Sequence, residues 1–286
     1  MNTNNLILSK EGIFPVTKDA EGNFLHDIPA TGLAFSGTIQ GEGKLAGMPS
    51  LFIRLASCNL RCVWQLPNGK SSCCDTHYAA FSNNDSKQIS VDDAVKTIKN
   101  NLGAIRHVVI TGGEPLLQKE PLARLVSALK SETNVHLTLE TNGTIFDDNV
   151  AEYIDLFSIS PKLENSIPTL EKMKDMQISF SAAFEMHAKK RINTDALQSF
   201  LDITKCRNKE IQLKFVIGKF EEEEEIKQLL AHLKNWDVSD IMVMPLGATS
   251  EDLNITSQIA FEIAIKNGWR FSPRLHVNLF GNKAGV

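Results

Sequence analysis

No segment of the 286-residue chain approaches the ~20 consecutive apolar residues that span a bilayer, so no membrane span is expected. The opening MNTNNLILSK has no basic stretch followed by a long apolar core, so no secretory leader is read there. Charge of one sign is also scarce. Lys and Arg number 30 against 34 Asp and Glu, and the net charge of −4 argues against a chain that grips nucleic acid. There is no internal repeat and no dividing linker. The one low-complexity run, Glu221 to Glu225, reads as the acidic first turn of a helix. What remains is ordinary for a soluble cytoplasmic protein: 42% hydrophobic and 22% charged residues. The length suits one large α/β domain or two small ones at most. Cysteine is sparse and odd in number at five, so a disulfide framework is not expected. Four of the five fall between positions 58 and 74, which turns attention to metal or redox chemistry.

Residues 1–32 carry little periodicity and several turn formers, such as Asp19, Gly22 and Asn23. They read as an N-terminal extension with at most local structure, followed by one domain over 33–286. From there strand and helix signals alternate. Strands are expected at 51–56, 107–110, 136–139, 156–159, 178–183, 211–217 and 241–244. Helices are expected near 90–101, 118–131, 194–204, 221–235 and 254–267. This alternation predicts an α/β fold with about six parallel strands and outer helices. Polar clusters recur at the C-terminal ends of strands, at Cys58, Gly112–Glu114, Glu140–Asn142 and Ser160–Lys162. That pattern favours a complete or partial βα barrel, whose sites form on that edge.

The cysteines read Cys58-x3-Cys62, then eleven residues, then Cys74 directly after Cys73. A structural zinc site would show two C-x2-4-C knuckles. Adjacent cysteines rarely serve one ion, because consecutive side chains in extended backbone point apart. Three usable thiolates suit an iron–sulfur cluster with one iron left open. Buried free thiols are the plain alternative.

Cys58-x3-Cys62 after a strand resembles the start of the radical S-adenosylmethionine (SAM) motif. Thr111-Gly112-Gly113-Glu114-Pro115 resembles the GGEP motif of the same superfamily. The flanking residues narrow this further: FSGTIQGEG over 35–43, FIRLASC over 52–58, Cys74-Asp75-Thr76, Ser160-Pro161-Lys162, and Arg274-Leu275-His276 with Leu279 to Asn282. Together they resemble the 7-carboxy-7-deazaguanine synthase family over roughly 33–286 in scattered blocks.

The resemblance implies ring contraction of 6-carboxy-5,6,7,8-tetrahydropterin to 7-carboxy-7-deazaguanine with loss of ammonia, through a 5′-deoxyadenosyl radical. It implies a [4Fe–4S] cluster on Cys58, Cys62 and Cys74, SAM on its open iron, and Mg²⁺ on Thr76. SAM contacts would come from Cys73, Asp75, Gly112, Gly113, Glu114, Glu140, Asn142, Ser160, Pro161 and Lys162. Substrate contacts would come from Ile39, Gln40, Gly41, Arg54, Thr111, His276 and Val286. An unidentified electron donor and a homodimer are implied as well, with neither nucleic acid nor membrane as partner.

Plainer readings stand beside these. Arg54 could pair with Glu42 or Glu140 at the barrel mouth, Thr76 could cap a helix, and His276 could simply pack. Lys214 would need a partner if it faces the interior, and Cys206 reads as a lone buried thiol. Cys73 could replace Cys74 as ligand, although Asp75-Thr76 keeps its family offset only from Cys74. The rival functions are another radical SAM reaction, such as glycyl-radical activation, and a zinc-stabilised binding module.

Overall fold

The computed structural model describes residues 4–80, 85–247, 249–281 and 283–286. Asn282 of the C-terminal motif lies outside the described residues. The chain opens with strand β1, Asn5–Phe14, then β2, Thr38–Ile39, and β3, Pro49–Leu55. A hairpin follows, β4 (Val63–Gln65) and β5 (Ser71–Cys73), then a short helix α1, His77–Ala80. Next come β6 (Lys87–Ser90), α2 (Val91–Leu102), β7 (His107–Gly112) and α3 (Lys119–Glu132). β8 (His136–Thr141), α4 (Asp148–Ala151) and β9 (Leu156–Ile159) continue the alternation. Three helices then follow in a row: α5 (Leu170–Asp175), α6 (Ala182–Lys190) and α7 (Thr194–Arg207). The rest is β10 (Glu210–Ile217), α8 (Glu222–Ala231), β11 (Ile241–Pro245), α9 (Ser250–Asn267), β12 (Arg270–Phe271) and α10 (Leu275–Phe280).

The main sheet runs β12-β11-β10-β9-β8-β7-β3-β1-β6, with β2 added on β3. Every pair from β3 to β12 is parallel. β1 is antiparallel to both β3 and β6. The path is open among the described residues, since β12 and β6 do not pair. The fold is therefore a mostly parallel α/β sheet with outer helices and no closed ring.

The local physics is simple. α2 buries Val91, Ala94, Val95 and Ile98, one face at 3.6-residue spacing, and Ser90 caps it by accepting from the Asp93 amide. The parallel strands are buried on both faces and read as apolar runs, as in Val108-Val109-Ile110. Phe157, Phe200 and Phe215 are fully buried, each worth about 1.5–3 kcal/mol relative to exposure. The Glu222–Glu225 run does form the first turn of α8, with Glu223 and Glu225 also tied to Lys227, Lys266 and Arg191.

Three expectations are corrected. Residues 5–14 are not loose: β1 sits inside the sheet, held on both sides, and buries Leu6, Leu8, Ile13 and Phe14. Its alternation is masked in sequence by an irregular stretch between Leu8 and Ile13. Residues 178–183 form no strand; the segment leads into α6, whose Phe184 and His187 are buried under the cysteine hairpin. Cys206 is exposed on α7 rather than buried.

Candidate active site

The parallel strands end on one edge, and a cavity of about 850 Å³ opens there. That size is normal for small-molecule sites, and the edge is where such sites form in parallel α/β sheets. β3 delivers Arg54 and then Cys58. β7 delivers Thr111, Gly112 and Gly113, β8 delivers Glu140 and Asn142, and the loop after β9 delivers Ser160 and Lys162. All of these line the cavity, together with Ile39, Gln40, Gly41, His276 and Val286. Among the described residues no helix is long and apolar enough to cross a membrane.

The eleven residues between Cys62 and Cys74 form the β4–β5 hairpin. Its tip is a turn at Pro67-Asn68-Gly69, in which the Gly69 amide donates to Leu66 O (2.9 Å) with Gly69 at φ +81°. Val63 pairs with Cys73, and the Cys74 amide donates to Cys62 O at 3.1 Å. The hairpin thus bulges out and returns the third cysteine beside the second. The thiols then part. Cys58, Cys62 and Cys74 share one apolar patch with Leu60, Trp64 and Leu246. Cys73 also borders the cavity, but its side chain packs on the opposite face of the hairpin, against Val63, Met173 and the region of Phe184. Burial pushes the Cys62 thiol well above its usual value, with Cys74 and Cys58 adding to the shift against Lys162. Burial, then Asp75, pushes Cys74 up to about 12. A metal ion would have to displace these protons.

The loop is braced from below. Arg61 donates its amide to His187 Nδ1 at 3.1 Å, and Lys172 Nζ donates to Val63 O at 2.9 Å. Among the described residues no three His, Cys, Asp or Glu side chains converge on a single-ion site. A zinc module needs such convergence. A four-iron cluster does not, because each thiolate binds a different iron. The three thiols facing one patch therefore fit a cluster.

The other rim is charged. Glu42 accepts from Lys214 Nζ (2.5 Å) and Arg274 Nε (3.0 Å), and His276 Nε2 lies 3.9 Å away. Burial works against the Glu42 carboxylate, but Lys214 and Arg274 outweigh it and hold it well below the usual range. Arg274 also donates to Asp75 at 2.9 Å, and Gln40 donates to Glu140 at 3.0 Å. Lys214 thus faces the interior and has its partner. A Cβ on Gly41 would stand 2.0 Å from His276 Nδ1, so glycine there lets the loop of residues 40–43 close onto α10.

Thr76 Oγ1 lies 3.2 Å from Cys74 Sγ, on the cavity wall. Lys162 Nζ donates to Ser160 Oγ at 2.9 Å. Two expected contacts are not on the wall. Glu114 is fully buried, accepting from Thr141 Oγ1 and from the Asn142 and Leu116 amides, so it braces β8 rather than facing a ligand amine. Pro161 is buried away from the cavity as well. Gly112 and Gly113 line the cavity and are also tight against the chain itself: a Cβ on either would stand 2.3 Å from Leu55 O or Ser57 O. They let β7 pack beneath the cysteine loop. Arg54 pairs with neither Glu42 nor Glu140; its ion-pair partner is Glu11 of β1, at 3.9 Å. Glu11 and Tyr78 did not stand out in sequence, and Glu42 and Arg274 were read there without a site role. The QGEG stretch was the available signal for Glu42, and the C-terminal Arg-x-His for Arg274.

This architecture, with a cysteine loop after the first parallel strand, is that of a radical SAM protein, and residues 53–189 match the Radical SAM superfamily. A 7-carboxy-7-deazaguanine synthase of Halobacterium salinarum is 35% identical, over 89% of this chain and 91% of that one. One of Rhodopirellula baltica is 31% identical, over 86% and 85%. The chain belongs to the 7-carboxy-7-deazaguanine synthase family, a radical SAM family that works with SAM and an iron–sulfur cluster. The crystal structure of QueE from Escherichia coli shares the fold, with a TM-score of 0.57 at 22% identity over 92% of this chain and 95% of that one.

Proposed function

We propose that the chain is a carbon–nitrogen lyase that converts 6-carboxy-5,6,7,8-tetrahydropterin to 7-carboxy-7-deazaguanine with loss of ammonia. One observation carries this reading: a single cavity has three facing thiols at one end and a guanidinium with fixed charges at the other. In this reading Cys58, Cys62 and Cys74 hold the cluster, and Cys73, turned to the opposite side, does not. When bound, the cluster and SAM would supply radical chemistry for hydrogen abstraction at C6 of the pterin. The side chains position the reactants, and positioning is the protein's main contribution to such chemistry.

Arg54 takes the substrate carboxylate, since its planar fork matches two oxygens. Gln40 and the Gly41 backbone read the pterin edge. Thr76 offers a hard oxygen to Mg²⁺ beside that carboxylate. Lys162, Ser160 and Gly113 lie near the thiols and serve SAM. The exposed apolar side chains Phe24, Ile28 and Phe35 support a homodimer, to be checked by light scattering. Glycyl-radical activation is not favoured, because a protein substrate has no use for a charged pocket built for a small carboxylate. The test is an anaerobic assay with carboxytetrahydropterin, SAM, a reductant and Mg²⁺. Deazaguanine product is expected. SAM cleavage without product, or stoichiometric zinc without iron, would refute the reading.

A further inference from the structure

β1 and β3 do not pair evenly. Leu8 pairs with Leu55, but the next partners are Ile13 and Ile53. Five steps along β1 answer two along β3, so three residues bulge out opposite Arg54. Gly12 makes the bulge possible at φ +65°, a left-handed value that strains other residues. Bulges of this kind re-aim side chains, and here the side chain is Glu11.

The Glu11 side chain is only 8% exposed, with its carboxylate 3.9 Å from Arg54 Nε. Ser9 Oγ donates to it at 2.9 Å, and the Tyr78 hydroxyl hydrogen-bonds it as well. Phe14 supplies the floor: its ring lies 5.4 Å from the Arg54 guanidinium and stacks on Phe52. Arg54 lines the cavity, whereas Glu11 and Phe14 stand behind it. Arg54 Nε is buried without a hydrogen-bond partner. Asp75, on the cavity wall, is a further carboxylate that feels Arg54.

We propose that Glu11 is a positioning residue for the substrate carboxylate, acting through Arg54 from the bulge of β1. This rests on the reading that Arg54 meets that carboxylate. Glu11 supplies the counter-charge behind the guanidinium, and Phe14 holds its plane. Without Glu11 the guanidinium still feels Asp75 on the cavity wall, and Arg54 turns across the space the ligand needs. The N-terminal strand is then part of the site, placed there by three extra residues.

The test compares two ligands in the anaerobic, cluster-loaded enzyme: the carboxylated substrate, by KM and kcat, and a tetrahydropterin lacking the carboxylate, by its inhibition constant. Glu11→Gln is nearly isosteric and keeps acceptors for Ser9 and Tyr78. It is expected to raise KM about tenfold, the scale of one charge-assisted contact, with kcat changed far less and the inhibition constant of the analogue unmoved. Phe14→Leu removes only the ring face and should raise KM about threefold. Equal weakening of both ligands would mean a merely structural role and overturn the proposal. An unchanged KM in Glu11→Gln, with KM raised in Arg54→Lys, would overturn it and leave Arg54 in place. An unchanged KM in Arg54→Lys would overturn both.

Discussion

The two rims of the cavity handle charge in opposite ways. At the cysteine rim, burial holds the thiols protonated, and the braces beneath, His187 and Lys172, bond backbone groups of the loop rather than the thiols. At the other rim, Glu42, Lys214, Arg274 and Asp75 are already ionised and paired before any ligand arrives. A site for a metal cluster can leave its charge to be completed by the metal. A site that must orient a small carboxylate needs its charges fixed beforehand, because reorganising them during reaction costs free energy.

The largest expected effect separates the cysteines. Cys74→Ala should abolish bound iron and turnover, whereas Cys73→Ala should keep both; the reverse pattern in an iron assay would exchange their roles. Next is Glu42→Gln, which leaves two buried cations facing a neutral group. It should cost on the order of 3 kcal/mol in urea unfolding. An unchanged unfolding midpoint would show that the charged rim is not a cooperative network. Thr76→Ala is milder: the Mg²⁺ concentration for half-activation should rise about tenfold, worth ~1.4 kcal/mol, with iron content intact. No change in the metal titration would remove Thr76 from the metal's reach.

The smallest effect is a slope. Burial, then Arg191 and Lys162, pushes His187 from 6.5 down to about 4. Between those values the unfolded chain binds about one more proton at this site than the folded one, so stability falls as pH falls from 6.5 to 4. Glu42 stays ionised through that window, because its folded value is held low. Acid should therefore loosen the cysteine side first. His187→Gln should flatten the stability profile between pH 4 and 6.5; an unchanged slope would show that His187 is not the titrating brace.

Much of this was legible without coordinates. The parallel strands β3 and β7–β11 announce themselves because strands buried on both faces are short apolar runs. The cysteine spacing and the polar residues after each strand mark the functional edge, because a parallel sheet gathers its C-terminal ends in one place. β1 and α6 were not legible. Ser9-Lys10-Glu11-Gly12 breaks the period-2 pattern of β1, and the segment before α6 looks β-prone until His187 and Phe184 are seen packed under the hairpin.

By itself the sequence determined the class of fold, the cluster loop and the chemical types at the site, since these follow from local pattern and spacing. Only the tertiary structure decided which way each side chain faces. Cys73 and Cys74 are neighbours in the chain, yet strand pairing turns them to opposite sides. Glu114 sits in a site-like motif, yet its hydrogen bonds draw it inside. Glu11 lies in a stretch without evident pattern, yet a bulge opposite Arg54 brings it to the back of the site. Contacts between residues far apart in sequence depend on register, and register is a property of the assembled sheet.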